Sequence, residues 1–75
     1  MTRYFEIYVA GRNGFSAYVK TDKVLPTDFD ETILNLAVGA KVIESGDAKD
    51  VFHGAGYIEE RQVSDIHPKT TITIL

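Results

Sequence analysis

The chain has 75 residues, a formal net charge of −3, no cysteine, and 44% hydrophobic against 25% charged residues. That length suits one domain spanning residues 1–75 and not two. The missing cysteine excludes disulfides, a thiolate metal site and a cysteine nucleophile. The longest apolar runs fall well short of the roughly 20 residues a membrane helix needs, and the apolar content is too high for a disordered acidic chain.

Residues Arg3 to Ala10 alternate, with Phe5, Ile7 and Val9 on one side and Tyr4, Glu6 and Tyr8 on the other. Period-two alternation with β-branched and aromatic content predicts a strand. Gly11-Arg12-Asn13-Gly14 predicts a turn. Phe15, Ala17 and Val19, alternating with Ser16, Tyr18 and Lys20, predict a second strand. A two-residue loop would mix the two faces. A three-residue Arg12-Asn13-Gly14 loop keeps the apolar set together by pairing Gly11 with Phe15, Val9 with Ala17 and Ile7 with Val19. On the other face it sets Tyr8 opposite Tyr18 and Glu6 opposite Lys20.

Asp22 to Asp28 is expected as a loop, with Pro26 biasing Leu25 away from helical backbone. Thr27-Asp28-Phe29-Asp30 resembles a capping box, and Phe29, Ile33, Leu36, Ala37, Ala40 and Ile43 recur at helical spacing. With Gly46 suited to the position after a helix end, one helix over about 28–45 is expected. Val51-Phe52 is a short apolar anchor in an otherwise illegible stretch, and Gly54-Ala55-Gly56 reads as flexible. A third strand is expected from Tyr57 to about Ser64, a turn at 66–69, and a last strand from Thr70 to Leu75. The expected fold is α+β, ββαββ, a four-stranded mainly antiparallel sheet with one helix on one face. Phe5, Ile7, Val9, Phe15, Val19, Ile72 and Ile74 are expected to meet the helix.

The sequence offers little catalytic chemistry. His53 and His67 lack the spacing of a helical zinc motif, and no metal site or cofactor is expected. Glu59 and Glu60 are neighbours on a strand and point to opposite faces, which disfavours a paired-carboxylate site. A small enzyme using His53 with either glutamate is the weakest reading. Gly54-Ala55-Gly56 lacks the lysine and hydroxyl of a phosphate loop. The stretch from Asp28 to Asp50 sets six acids against two lysines, which repels phosphate backbones and disfavours direct nucleic-acid binding. Asp28, Asp30 and Glu31 suit a helix start, and equally a basic partner surface.

Tyr4, Tyr8 and Tyr18, with Glu6 and Lys20, are expected on the sheet face away from the helix. One helix cannot cover both faces, so this cluster is either cross-strand packing or a partner-binding surface. The expected function is binding rather than catalysis: docking on a larger protein or protein complex through Tyr4, Glu6, Tyr8, Tyr18 and Lys20, the acids Asp28, Asp30 and Glu31, or a strand edge. In size, acidity and lack of catalytic motifs the chain is similar in kind to small stand-alone inhibitors, phage anti-defence proteins such as anti-CRISPRs among them. The alternative is a homo-oligomeric ligand-binding or regulatory protein, for instance a homodimer covering its own tyrosine face. No membrane partner is expected. A cytoplasmic location, in the host if the chain is viral, follows from the absence of cysteine and of a signal-peptide pattern.

Overall fold

A computed structural model describes all residues from Met1 to Leu75. It contains β1 (Arg3–Val9), β2 (Phe15–Thr21), α1 (Asp30–Gly39), α2 (Ser45–Phe52), β3 (Gly56–Arg61) and β4 (Ile72–Ile74), with short 3-10 turns at Ala10–Arg12 and Val63–Asp65. The architecture is α+β. Its sheet order is β3-β1-β2-β4, with β1 antiparallel to both β2 and β3 and β4 parallel to β2. The sheet is therefore mixed, and two helices replace the single one expected. Neither helix is long and apolar enough to cross a membrane.

The hairpin keeps the expected faces in a register shifted by two. Val9 lies opposite Phe15, Ile7 opposite Ala17 and Phe5 opposite Val19. The 3-10 turn takes up Ala10–Arg12, and Asn13 and Gly14 then both adopt left-handed backbone, at φ 55° and 72°. Five residues thus make the connection, not three. A shift of two preserves side-chain parity, so the apolar face survives while the cross-strand partners change. Tyr8 meets Ser16 and Glu6 meets Tyr18, so the expected Tyr8–Tyr18 and Glu6–Lys20 pairs do not form.

The long apolar stripe breaks at Lys41. Lys41 N–H donates to the Val38 carbonyl and Val42 N–H to the Ala37 carbonyl, closing α1 in a Schellman motif with Lys41 at φ 61°. The stripe runs through the break because Ile43, just beyond it, is drawn into the same core. Asp47 starts the second helix: its Oδ2 accepts the Glu44 N–H at 3.0 Å and a hydrogen bond from Arg12 at 3.2 Å. That one carboxylate ties the start of α2 to the β1–β2 connection. The expected capping box at Thr27–Asp30 is absent, because α1 starts two residues later than expected, after Phe29, with no side-chain cap.

Phe5, Ile7, Val9, Val19 and Ile33 are fully buried between sheet and helices, with Leu34, Ala37, Ile43 and Val51. Each of these side chains except the single methyl of Ala37 contributes about 1.5–3 kcal/mol through burial. Ile72 and Ile74 do not join them. Their pairing with Tyr18 and Lys20 sets both on the opposite face, where Ile74 is 72% exposed. Leu75, one parity step on, packs against the core instead.

β2, β3 and β4 run parallel to one another. The chain moves from β2 to the β3 edge through the helices, then back across the whole sheet to β4 through residues 62–71. Crossovers between parallel strands are almost always right-handed, so two that travel in opposite directions lie on opposite faces. That handedness rule assigns the 62–71 link to the face away from the helices. Its Ile66 is buried, 7% exposed, yet stands apart from the helix-side cluster.

Candidate protein-docking surface

The face away from the helices carries Tyr4, Glu6 and Tyr8 from β1, Ser16, Tyr18 and Lys20 from β2, and Tyr57, Glu59 and Arg61 from β3. The residues predicted from β1 and β2 therefore do lie together. Arg3 lies on the other face, where it pairs with Glu60 at 2.8 Å and sits 5.3 Å from the ring centres of both Phe5 and Phe29.

These residues divide by role. Glu6 is buried, 7% exposed, and fully engaged. It accepts from Ser16 Oγ at 2.9 Å and from Arg61 Nη2 at 2.7 Å, while Arg61 also reaches Glu59 at 2.6 Å. The network Ser16–Glu6–Arg61–Glu59 knits β2, β1 and β3, and the burial of Glu6 within it leaves that carboxylate little surface to offer a partner. Its effect on Arg61 is to raise the guanidinium pKa, chiefly through the Glu6 hydrogen bond. Tyr4 and Lys20 face each other at the start of β1. Tyr4, Tyr18 and Lys20 are each only partly exposed.

The aromatic feature that stands out was not in the predicted set. Tyr57 stacks on Tyr8, ring centres 4.9 Å apart and planes 20° from parallel, and is 42% exposed. Partial desolvation, then the carboxylates of Glu6 and Glu59, raise its hydroxyl pKa, so it stays a neutral donor across ordinary pH. Tyr57 shares parity with Glu59 and Arg61 in the sequence. Its partner Tyr8, however, could be named only once β3 was known to pair with β1.

Tyr57 stands on an edge strand. The Ala10 N–H donates to the Ala55 carbonyl at 3.2 Å, which sets the phase of the β1–β3 ladder. Every second residue then bonds inward: Tyr57, Glu59 and Arg61 toward β1. The N–H and C=O groups of Gly56, Ile58 and Glu60 consequently point away from the sheet, unpaired. Beside this edge lies a hollow of about 340 Å³, lined by Asp28, Asp30, Leu34, Val51, Phe52 and Ile58 among others. Phe52 is 57% exposed and also borders a second groove, between α1 and α2, with Glu31 and Lys49 on its walls.

The predicted acids thus separate. Asp28 and Asp30 border the edge hollow, whereas Glu31 borders the interhelical groove. None of the three forms an ion pair. His53 caps the end of α2 with its Nδ1 2.8 Å from the Lys49 carbonyl, and His67 Nδ1 accepts the Lys69 N–H at 3.1 Å. No three acidic or histidine side chains converge in a way that could hold a metal ion. Comparison with protein-family models, curated proteins and solved structures returned no match.

Proposed function

We propose that this chain is a protein-binding module that docks on a larger protein through the Tyr8–Tyr57 corner and the adjoining edge of β3. The observation that carries the reading is the exposed, stacked Tyr57 standing on an edge strand whose outer side is unpaired. Tyrosine supplies a large rigid contact area at low entropic cost, and its neutral hydroxyl adds a hydrogen bond. The stack with Tyr8 fixes the ring before any partner arrives, which lowers the cost of binding. The ionisable groups around it, Glu6, Glu59 and Arg61, are spent on ion pairs within the sheet. That suits a rigid recognition surface better than proton transfer. An inhibitor of a host defence complex is one form such a module takes.

The test is affinity capture with purified wild-type protein and a Tyr57→Ala variant, with bound proteins identified and quantified. A single stoichiometric partner whose retention drops at least tenfold with Tyr57→Ala is the expected result. Identical capture by both proteins refutes the reading.

A further inference from the structure

We propose that the outer edge of β3 is a strand-docking site for an extended, basic segment of a partner protein. The inference rests on the protein-binding reading above and deepens it by naming the backbone geometry and charge of what binds. The ladder phase leaves the N–H and C=O groups of Ile58 and Glu60, and those of Gly56 at the strand start, facing outward. An added strand would satisfy these groups in register. Its side chains would alternate. One set would enter the hollow over Leu34, Val51 and Ile58, with Asp28 and Asp30 at the border. The other set would lie beside Tyr57 and Glu59.

Charge selects the occupant. The cations near the edge are already committed, Arg61 to Glu6 and Glu59 and Arg3 to Glu60, whereas Asp28 and Asp30 are in no ion pair. A second copy of the chain is the obvious rival, since edge strands template their own kind. An antiparallel two-fold pairing that keeps the faces matched and overlaps three or more residues of β3 must centre on Tyr57, Ile58, Glu59 or Glu60. The last two set a glutamate against its own copy. A centre on Tyr57 or Ile58 brings the two hollows together, with Asp28 and Asp30 of both copies at one seam. Like charges opposed across a sheet destabilise the pair. A lysine- or arginine-bearing strand meets the same carboxylates with opposite sign.

The test uses ¹⁵N-labelled full-length protein and a capped decapeptide of alternating lysine and valine, with an alternating glutamate and valine peptide as control. The expected result is saturable binding of the lysine peptide only, with shifted and exchange-protected amides at Gly56, Ile58 and Glu60. Asp28→Asn with Asp30→Asn should weaken it at least fivefold. Glu60→Pro removes one outward N–H, leaves the Glu59 and Arg61 bonds to β1, and should abolish binding, with far-UV circular dichroism reporting its fold. A measurement independent of that variant's folding uses two peptides N-methylated at either the lysines or the valines. Only one set can face β3, so their affinities should differ at least tenfold. Equal binding of both methylated peptides, binding of the glutamate peptide, or shifts confined to the α1–α2 groove overturns the proposal. If Tyr57→Ala loses a captured partner while Glu60→Pro keeps it and the lysine peptide fails to bind, the edge proposal falls and the protein-binding reading stands. If Tyr57→Ala loses nothing, the broader reading falls.

Discussion

Gly56 opens β3 at φ 147°, a backbone conformation that essentially only glycine adopts. A Cβ at this position would be driven into the backbone carbonyl oxygen of Tyr8 and would lie 3.0 Å from Val51 Cγ2. The obstacle is backbone, so no side-chain rotation relieves it. Gly56→Ala should therefore incur about 1–3 kcal/mol of conformational strain. It should also force β3 away from β1, endangering the Val9–Gly56 pairing and the Ala10–Ala55 hydrogen bond, worth about 0.5–1.5 kcal/mol. A combined loss of about 3 kcal/mol is large for a domain whose total stability is expected at about 4–11 kcal/mol. Urea unfolding followed by circular dichroism measures it, as a lower midpoint. Gly46→Ala is the control: it lies in α2 with nothing within 4 Å of the added methyl, and should stabilise by about 0.5–1 kcal/mol. If Gly56→Ala unfolds within 1 kcal/mol of wild type at an unchanged slope, the close approach of β3 to Tyr8 is wrong.

Lys41 holds left-handed backbone at the end of α1, which costs a side-chain-bearing residue about 1–2 kcal/mol. Lys41→Gly should raise stability by about 1 kcal/mol, read as a higher urea midpoint, and a decrease would refute the turn assignment. Asp47→Ala removes the carboxylate that holds both the Glu44 N–H and Arg12; a loss of about 1–2 kcal/mol is expected, with helicity falling in the far-UV spectrum. Arg3 holds the Glu60 carboxyl below its ordinary 4.5, mainly through their hydrogen bond. Because the folded value is depressed, the stabilisation is present above the ordinary value and is lost as pH falls through the folded value. Glu60→Gln should therefore lower neutral-pH stability slightly and flatten the acid limb of the stability profile, below about pH 4.5, by the same small amount, since the pair is exposed. An unaltered acid limb counts against the Arg3–Glu60 pair.

The candidate surface was half legible in the chain. Tyr4, Glu6, Tyr8, Tyr18 and Lys20 share a face because a strand alternates with period two whatever its register. That reasoning survived a two-residue error in the hairpin loop. It failed for Ile72 and Ile74, which alternate as cleanly as a core pair yet sit on the tyrosine face. Alternation gives two sets and does not say which set faces inward. Nor could it separate Glu6, buried in an ion-pair network, from Tyr57, which stacks on Tyr8 and remains open.

What the sequence by itself determined is local: the hairpin and its two faces, the positions of the third and fourth strands, and an apolar stripe from Phe29 to Ile43. Each follows from the spacing of side chains along a few residues. Tertiary structure decided the rest. The stripe splits at Lys41 because a Schellman turn satisfies the last carbonyls of α1 and lets Ile43 reach the same core from a second direction. β4 runs parallel to β2, and β3 becomes an edge, because residues 62–71 carry the chain across the whole sheet from β3 to β4. Strand order and direction depend on contacts between residues tens of positions apart, and local periodicity carries no trace of them. The exposed edge of β3, on which the proposed activity turns, exists only at that level.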